Sequence, residues 1–207
     1  VIISAGATLT LTQDITIRSL SLEGGYNIGQ TQWQGIPELN ASNYTITLTG
    51  SQIVNYDLNI NSSNYYPLAV PCSVAVAAIN YKDPALAPYA QYGRHYVIKR
   101  YDGANCAANG GGNTNWVTLS NSEYLVPGVG YNITAVPVGG NAVIRIPLNM
   151  NARPENIAVQ QYASSEPNNA GWNYIGLPYL SSNLTFATDI AVSIPNADYT
   201  AYNQDYT

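Results

Sequence analysis

The sequence predicts an all-β protein, built from a short β-solenoid-like or meandering N-terminal segment followed by an antiparallel β-sandwich. Three observations carry that expectation. Thr, Val, Ile and Tyr recur in short runs with a period of two, no segment sustains a 3.6-residue period, and Gly, Pro and Asn clusters break the runs. Helix content should therefore be low, and many short strands between Gly- and Pro-rich turns are the pattern of a sandwich.

In the first part of the chain, Leu9 and Leu11 alternate with Thr8, Thr10 and Thr12 until Asp14 breaks the run. Ile15 and Ile17 resume it, Leu20 and Leu22 follow after a shift of register, and Gly24-Gly25 ends the segment. Tyr44, Ile46 and Leu48 alternate with Thr45, Thr47 and Thr49, and Val54, Tyr56, Leu58 and Ile60 form another period of two. Short strands about five or six residues apart, with Thr outward, suit the edge of a β-solenoid or a stacked meander. An ordinary series of antiparallel hairpins is the alternative. A solenoid would leave an open end that invites stacking on a neighbour.

Asn61 to Tyr66 is a polar hinge and the expected boundary, dividing a repetitive short-strand segment (1–60) from a β-sandwich module (61–207). Beyond it, strands are expected over Leu68–Ala78, Tyr92–Tyr101, Trp116–Leu119, Gly130–Pro137, Ala142–Leu148, Ala158–Tyr162, Asn173–Leu177 and Ile190–Ile194. Asp102-Gly103, Gly110-Gly111-Gly112, Pro127-Gly128, Gly139-Gly140 and Pro167-Asn168-Asn169 are the turn signals between them. Asp83–Tyr89 has room for one helical turn.

Composition excludes several functions. Asp, Glu, Lys and Arg make up 9% of the 207 residues, against about 25% in an ordinary globular domain. Net charge is −5, and the few cations are scattered, so the chain lacks the clustered charge that meets nucleic-acid phosphates. No apolar run approaches the roughly 20 residues of a spanning helix, so no membrane span is expected. A chain of this length buries enough apolar surface to fold without a metal, and no cofactor is expected. It lacks an initiating Met and a signal peptide, which suggests a start at a processing site or boundary.

Cys72 and Cys106 are the two cysteines. The expectation is one disulfide, because Cys106 sits in the polar, glycine-rich stretch Asp102–Thr114, and such a bond would stabilise by roughly 4 kcal/mol. Two buried free thiols are the alternative. His95, the single histidine, lies within a strand pattern and reads as a surface or packing residue, without a nucleophile beside it. The acids are scattered singly, and Asp83, Asp102 and Glu166 read as turn formers. Asn-x-Ser/Thr sites at Asn40, Asn43, Asn61, Asn132 and Asn183 allow glycosylation, although chance nearly accounts for their number. With 18 Tyr and three Trp, aromatic stacking is the one plausible binding resource, and Trp33 and Trp116 are the candidate glycan-stacking residues. Trp172 reads instead as a core strand residue.

From residue 65 onward several stretches resemble large surface proteins of the Bacteroidales: Tyr65-Tyr66-Pro67-Leu68-Ala69-Val70-Pro71, Tyr92-Gly93-Arg94-His95-Tyr96-Val97-Ile98-Lys99, Tyr101-Asp102-Gly103, Val126-Pro127-Gly128-Val129-Gly130-Tyr131 and Ala142-Val143-Ile144-Arg145-Ile146-Pro147. Gly171-Trp172-Asn173-Tyr174-Ile175-Gly176-Leu177-Pro178-Tyr179 is similar to a strand frequent in that group's exported proteins. The resemblance implies a cell-surface location and a repetitive β region ahead of the module, and its motifs are structural ones.

The leading expectation is an extracellular, non-enzymatic structural protein: a subunit or module of a cell-surface layer, stalk or filament that assembles by β-strand contacts with copies of itself or other cell-surface proteins. Val1–Leu11 is the segment expected to be exchanged, with the Tyr199–Thr207 tail at a contact. The alternative is a glycan-binding adhesin module using exposed Tyr and Trp. A glycoside hydrolase or lyase, suggested only by the solenoid-like start, is the third reading.

Overall fold

The structure, a computed structural model, describes residues 1–25, 35, 37–40, 44–50, 53–82, 91–137, 142–149, 160 and 162–176. Strands dominate them, with one α-helix, so the chain is broadly all-β. The strands are β1 (Ile2–Ile3), β2 (Thr8–Thr10), β3 (Ile15–Ile17), β4 (Ser21–Gly25), β5 (Glu38–Asn40), β6 (Ile46–Leu48) and β7 (Ile53–Ile60), then β8 (Tyr66–Leu68), β9 (Val74–Ala75), β10 (Asn80–Tyr81) and β11 (Tyr96–Tyr101). After the helix α1 (Gly103–Asn109) come β12 (Trp116–Thr118), β13 (Tyr124–Leu125), β14 (Gly128–Val129), β15 (Tyr131–Ala135), β16 (Ala142–Asn149) and β17 (Ile175–Gly176).

The first seven strands pair only in parallel with one another, each beside the strand three places on: β1 with β4, β2 with β5, β3 with β6, and β4 with β7. The register sets like on like. Leu9 lies beside Leu39, Ile15 beside Ile46 and Ile17 beside Leu48, while Thr16 lies beside Thr47. Repeated alternation explains this, because a period of two puts matching apolar faces in line when strands run the same way. Ile3, Leu20 and Leu22 turn inward and are buried.

At β7 the pairing changes hand. One edge of β7 takes β4 in parallel, and the other takes β16 antiparallel over eight residue pairs, from Ile53 opposite Asn149 to Ile60 opposite Ala142. The resulting sheet has the order β1-β4-β7-β16-β10 and runs across the polar hinge at residue 61 without a break. On β16, Ala142, Ile144, Ile146 and Leu148 are buried and the intervening residues face outward. Asp57 and Arg145 are direct cross-strand partners at the middle of this seam. The Arg145 Nε–H donates to one Asp57 oxygen at 2.7 Å and Nη2–H to the other at 2.6 Å. Lys82 Nζ, just past β10, lies 3.4 Å from the same carboxylate. Asp57 is 6% exposed. Burial pushes its carboxyl up, but the Arg145 hydrogen bond and the charges of Arg145 and Lys82 outweigh that and hold it below the usual carboxylate range.

A second, antiparallel sheet with the order β12-β11-β15-β8 supplies Tyr66, Leu68, Tyr96, Ile98, Tyr131 and Ile133 to the same buried core. Tyrosine hydroxyls tie the two sheets together. Tyr81 on β10 donates to the Val136 carbonyl at 2.7 Å, and Tyr96 on β11 donates to the Ile79 carbonyl at 2.8 Å. Tyr92 donates to the Leu119 carbonyl at 2.9 Å, and the Tyr131 hydroxyl accepts the Val126 N–H at 2.9 Å. A buried phenol needs such a partner, so each ring contributes apolar area and a fixed cross-link together.

Several sequence expectations shift. The strand expected over Leu68–Ala78 is divided: β8 stops at Leu68, near Pro71, whose missing N–H cannot join a ladder, β9 resumes at Val74–Ala75, and Val76–Ala78 is a 3-10 turn. The strand expected from Tyr92 begins at Tyr96, because Gly93, at φ 85°, turns the chain first. The polar stretch after Tyr101 contains helix α1, capped by the Asp102 carboxylate, which accepts the Asn105 N–H at 2.9 Å. The helical turn expected at Asp83–Tyr89, the strand at Ile190–Ile194 and the Tyr199–Thr207 tail lie outside the described residues, as does most of Ala158–Tyr162.

Two predictions follow from these ties. Asp57→Asn should destabilise by about 2–3 kcal/mol, less than a fully buried pair because Arg145 keeps part of its side chain in water. The native carboxylate, depressed on folding, contributes stability above its unfolded value of about 4 that is lost as pH falls further, so the acid limb of urea-unfolding stability should flatten in the variant. At the other extreme, burial raises the phenols of Tyr92, Tyr96 and Tyr131. Such groups stabilise below the unfolded value of about 10 and cease to do so as pH rises through the folded one. Melting temperature should fall above about pH 10, and the part of the tyrosinate absorbance that belongs to these buried rings should appear only together with unfolding.

Candidate functional site

Two surfaces stand out: a cleft walled by aromatic rings and an open strand edge. The cleft holds about 400 Å³ and is lined by Tyr101, Tyr124, Tyr131, Tyr162, Trp172 and Tyr174, with Arg100, Glu123, Gln160 and Asn173 among them. One side belongs to the second sheet, where Tyr101 ends β11 and Tyr131 opens β15. The other is the segment 162–176, which carries Tyr162, Trp172 and Tyr174.

Hydrogen bonds fix that segment. The Trp172 indole Nε1–H donates to the Asn168 carbonyl at 2.7 Å, and the Gly171 N–H donates to the Tyr162 carbonyl at 2.9 Å. Asn173 is fully engaged with the backbone: its Nδ2 donates to the Gln160 and Gly171 carbonyls at 2.8 and 2.9 Å, and its Oδ1 accepts the Gln160 N–H at 3.1 Å. The segment reaches the rest of the molecule where β17 pairs with β14 and where Ser164 Oγ donates to the Ala107 carbonyl of α1 at 2.6 Å.

Two glycines admit the rings. A Cβ at Gly103 would collide with the Trp172 carbonyl and the Tyr162 ring, and one at Gly130 would collide with the Tyr174 ring. Behind the cleft, Tyr101, Trp116 and Tyr174 form an edge-to-face column, with ring centroids 5.4 and 5.1 Å apart. Fully buried Asn115 pins the loop beside it. Its Nδ2 donates to the Gly110 carbonyl at 2.9 Å, and its Oδ1 accepts from Asn105 Nδ2 at 2.5 Å. The Tyr101 hydroxyl is pushed up to about 12, first by burial and then by its hydrogen bond with Cys106.

The second surface is the free side of β1, β2 and β3. Leu11 N–H donates to the Asn40 carbonyl, and Glu38 N–H to the Ala7 carbonyl, both at 2.9 Å. In a parallel ladder alternate residues bond to one neighbour, so Thr8 and Thr10 aim their N–H and C=O groups away from β5. The Ser21 N–H bond to the Val1 carbonyl and the Ile15 N–H bond to the Thr45 carbonyl, both 3.0 Å, leave Ile2 and Thr16 in the same position. Among the described residues no strand covers that side. Val1 and Ile2 are exposed there, at 53% and 65%.

The residues singled out from sequence are dispersed. Cys72 and Cys106 are both buried and both free, so the expected disulfide is not formed in this structure. Cys72 belongs to the central core cluster and lies at the end of β16, beside the Asn149 backbone, whereas Cys106 sits outside that cluster on α1, against Tyr101. Burial pushes the Cys72 thiol up. Asn40 is exposed at the end of β5. Asn61 and Asn132 are half-buried, and their amide oxygens accept from the Tyr66 and Tyr174 hydroxyls at 3.2 and 3.4 Å. Asn43, Asn183 and Trp33 lie outside the described residues.

Trp116 is half-buried within the aromatic column and does not line the cleft. Trp172, expected in the core, is 41% exposed and does line it. The Pro167-Asn168-Asn169 turn and Gly171, at φ 73°, were the signal that Trp172 leaves a turn rather than a strand. His95 Nδ1 accepts the Gln91 N–H at 2.9 Å and so helps close the turn before β11. Glu166 precedes the Pro167–Asn169 turn, and Asp83 lies outside the described residues.

No protein-family model matches the chain, and comparison with curated proteins and with solved structures finds no significant match. Among the described residues no cluster of His, Cys, Asp and Glu could hold a metal ion, and no helix is long and apolar enough to cross a membrane.

Gly130→Ala tests how tightly the cleft is built. The added methyl should push Tyr174 off Trp116 and destabilise by about 1–3 kcal/mol, with a change in tryptophan emission that reports the broken column.

Proposed function

We propose that this chain is an extracellular, non-enzymatic structural protein: a subunit or module of a cell-surface layer, stalk or filament that meets its neighbours through β-strand contacts. On this reading the coiled parallel strands are a short β-solenoid, and the two sheets that share the core are a β-sandwich. The observation that carries the proposal is the unprotected edge of β1, β2 and β3. Natural proteins blunt exposed edges with very short strands, Lys, Pro, bulges or inward charges. These three strands are short, at two or three residues each, but none of their eight residues is charged or proline. A second copy, or a neighbouring surface protein, can add strands there through main-chain hydrogen bonds alone, so no side-chain motif is required.

Other features agree. Scarce charge limits the repulsion between stacked subunits. The resemblance to Bacteroidales surface proteins supports the location, and exposed Asn40 is the described sequon best placed for a glycan.

The outward orientation of Thr10 and Thr16 makes a specific test available. Proline at either position removes an N–H that the native ladder does not use. The native chain should form concentration-dependent particles by light scattering and electron microscopy, and Thr10→Pro/Thr16→Pro should abolish them while changing unfolding stability by less than about 1 kcal/mol. A native chain that stays monomeric at all concentrations, or a double variant that assembles as the native one does, would refute the proposal.

A further inference from the structure

We propose that the aromatic cleft is a saccharide site, taking a neutral glycan through its pyranose rings and holding it without cleaving it. This goes beyond the strand-edge proposal and uses a different surface. A volume of about 400 Å³ falls within the range of small-molecule sites, with room for about two sugar rings. Trp172 and Tyr124 keep 41% and 58% of their surface exposed, in a chain that ties its core tyrosines down by their hydroxyls. Flat apolar faces with polar edges suit the C–H faces of a pyranose, which present the same mixture.

The platform is rigid before any ligand arrives. The Trp172 indole is locked by its bond to the Asn168 carbonyl, and Tyr174 by Gly130 and the Trp116 ring. Little side-chain ordering is left for binding to impose. Gln160 and Arg100 line the cleft without a side-chain hydrogen bond or ion pair among the described residues, so both can serve sugar hydroxyls.

The charge pattern selects a neutral ligand. Arg100 and Glu123 line the cleft with opposite signs, so it offers no net field to an acidic or basic one. Glu123 is the single carboxylate among the described lining residues. It already accepts the Ser120 N–H at 2.6 Å, and glycoside hydrolysis draws on two carboxylates. A proline-rich peptide, which also stacks on Tyr and Trp, is the competing occupant.

The experiment titrates the full chain with neutral gluco-, xylo- and chito-oligosaccharides, an acidic oligogalacturonate and a polyproline peptide, read by tryptophan fluorescence and calorimetry. At least one neutral oligosaccharide should bind saturably, with affinity insensitive to salt. Trp172→Ala should weaken it about tenfold or more and Tyr124→Ala several-fold. The Tyr124 side chain has no hydrogen bond among the described residues, so its variant should keep the native melting temperature, which separates lost binding from lost folding. Thr10→Pro/Thr16→Pro should bind as the native chain does, whatever becomes of assembly. The inference is overturned if no neutral saccharide binds at about 10 mM, if only the acidic glycan or the peptide binds, or if Tyr124→Ala and Trp172→Ala bind like the native chain.

Discussion

The seam between β7 and β16, fastened at its centre by Asp57 and Arg145, is the constraint on which the rest of the molecule hangs. β7 is at once the last of the parallel-paired strands and the first partner of the antiparallel part, so both halves inherit their position from its register. A slip of one residue would turn Ile144, Ile146 and Leu58 out of the core. It would also carry Arg145 away from the carboxylate it grips with two hydrogen bonds. A buried ion pair adds little net stability over apolar groups of the same shape, because desolvation offsets attraction. Its value here is choice of register. In a chain with so few charges, Asp57 has two cations near it and hardly another to be confused with.

Scarce charge and abundant tyrosine are two sides of one solution. A protein with few ion pairs must set the orientation of its layers by other directional bonds, and tyrosine supplies them from within the core. Tyr81 and Tyr96 donate in opposite directions between the two sheets, each to a backbone carbonyl. Phenylalanine at 81 or 96 would fill the same space and leave those carbonyls unsatisfied.

Much of this was legible in the sequence, and what was not has physical reasons. Alternation gave the strands and their inward faces, as at Leu22, Leu58 and Ile60. It could not separate parallel coils from hairpins, because a period of two is the same in both. Nor could it show that β7 continues into a sheet with β16, about ninety residues later, since pairing at that distance leaves no local mark. The helix after Tyr101 was hidden by its composition. Asp102 reads equally as a turn former or an N-cap, and seven residues are too few to display a helical period. Trp116 lies in a ring column and Trp172 on the cleft wall, a placement that hydrophobicity alone cannot foretell.

The open edge and the aromatic cleft ask different things of the chain, and the sequence divides accordingly. In the proposed assembly, recognition at the edge would reside in the main chain, so the side chains of Thr10 and Thr16 would need only to stay small, uncharged and extended. At the cleft, the proposed recognition would use ring faces, and the backbone gives way to them: Gly103 and Gly130 surrender their side chains so that Trp172, Tyr162 and Tyr174 can close in. The glycines buried under the rings are therefore as much part of the cleft as the rings themselves. An edge left bare would be a liability in a protein meant to remain solitary. In one that stiffens its own interior with tyrosine hydroxyls and has few charges to repel a neighbour, the same edge would serve as the proposed assembly surface, and each added subunit would carry its own cleft with it.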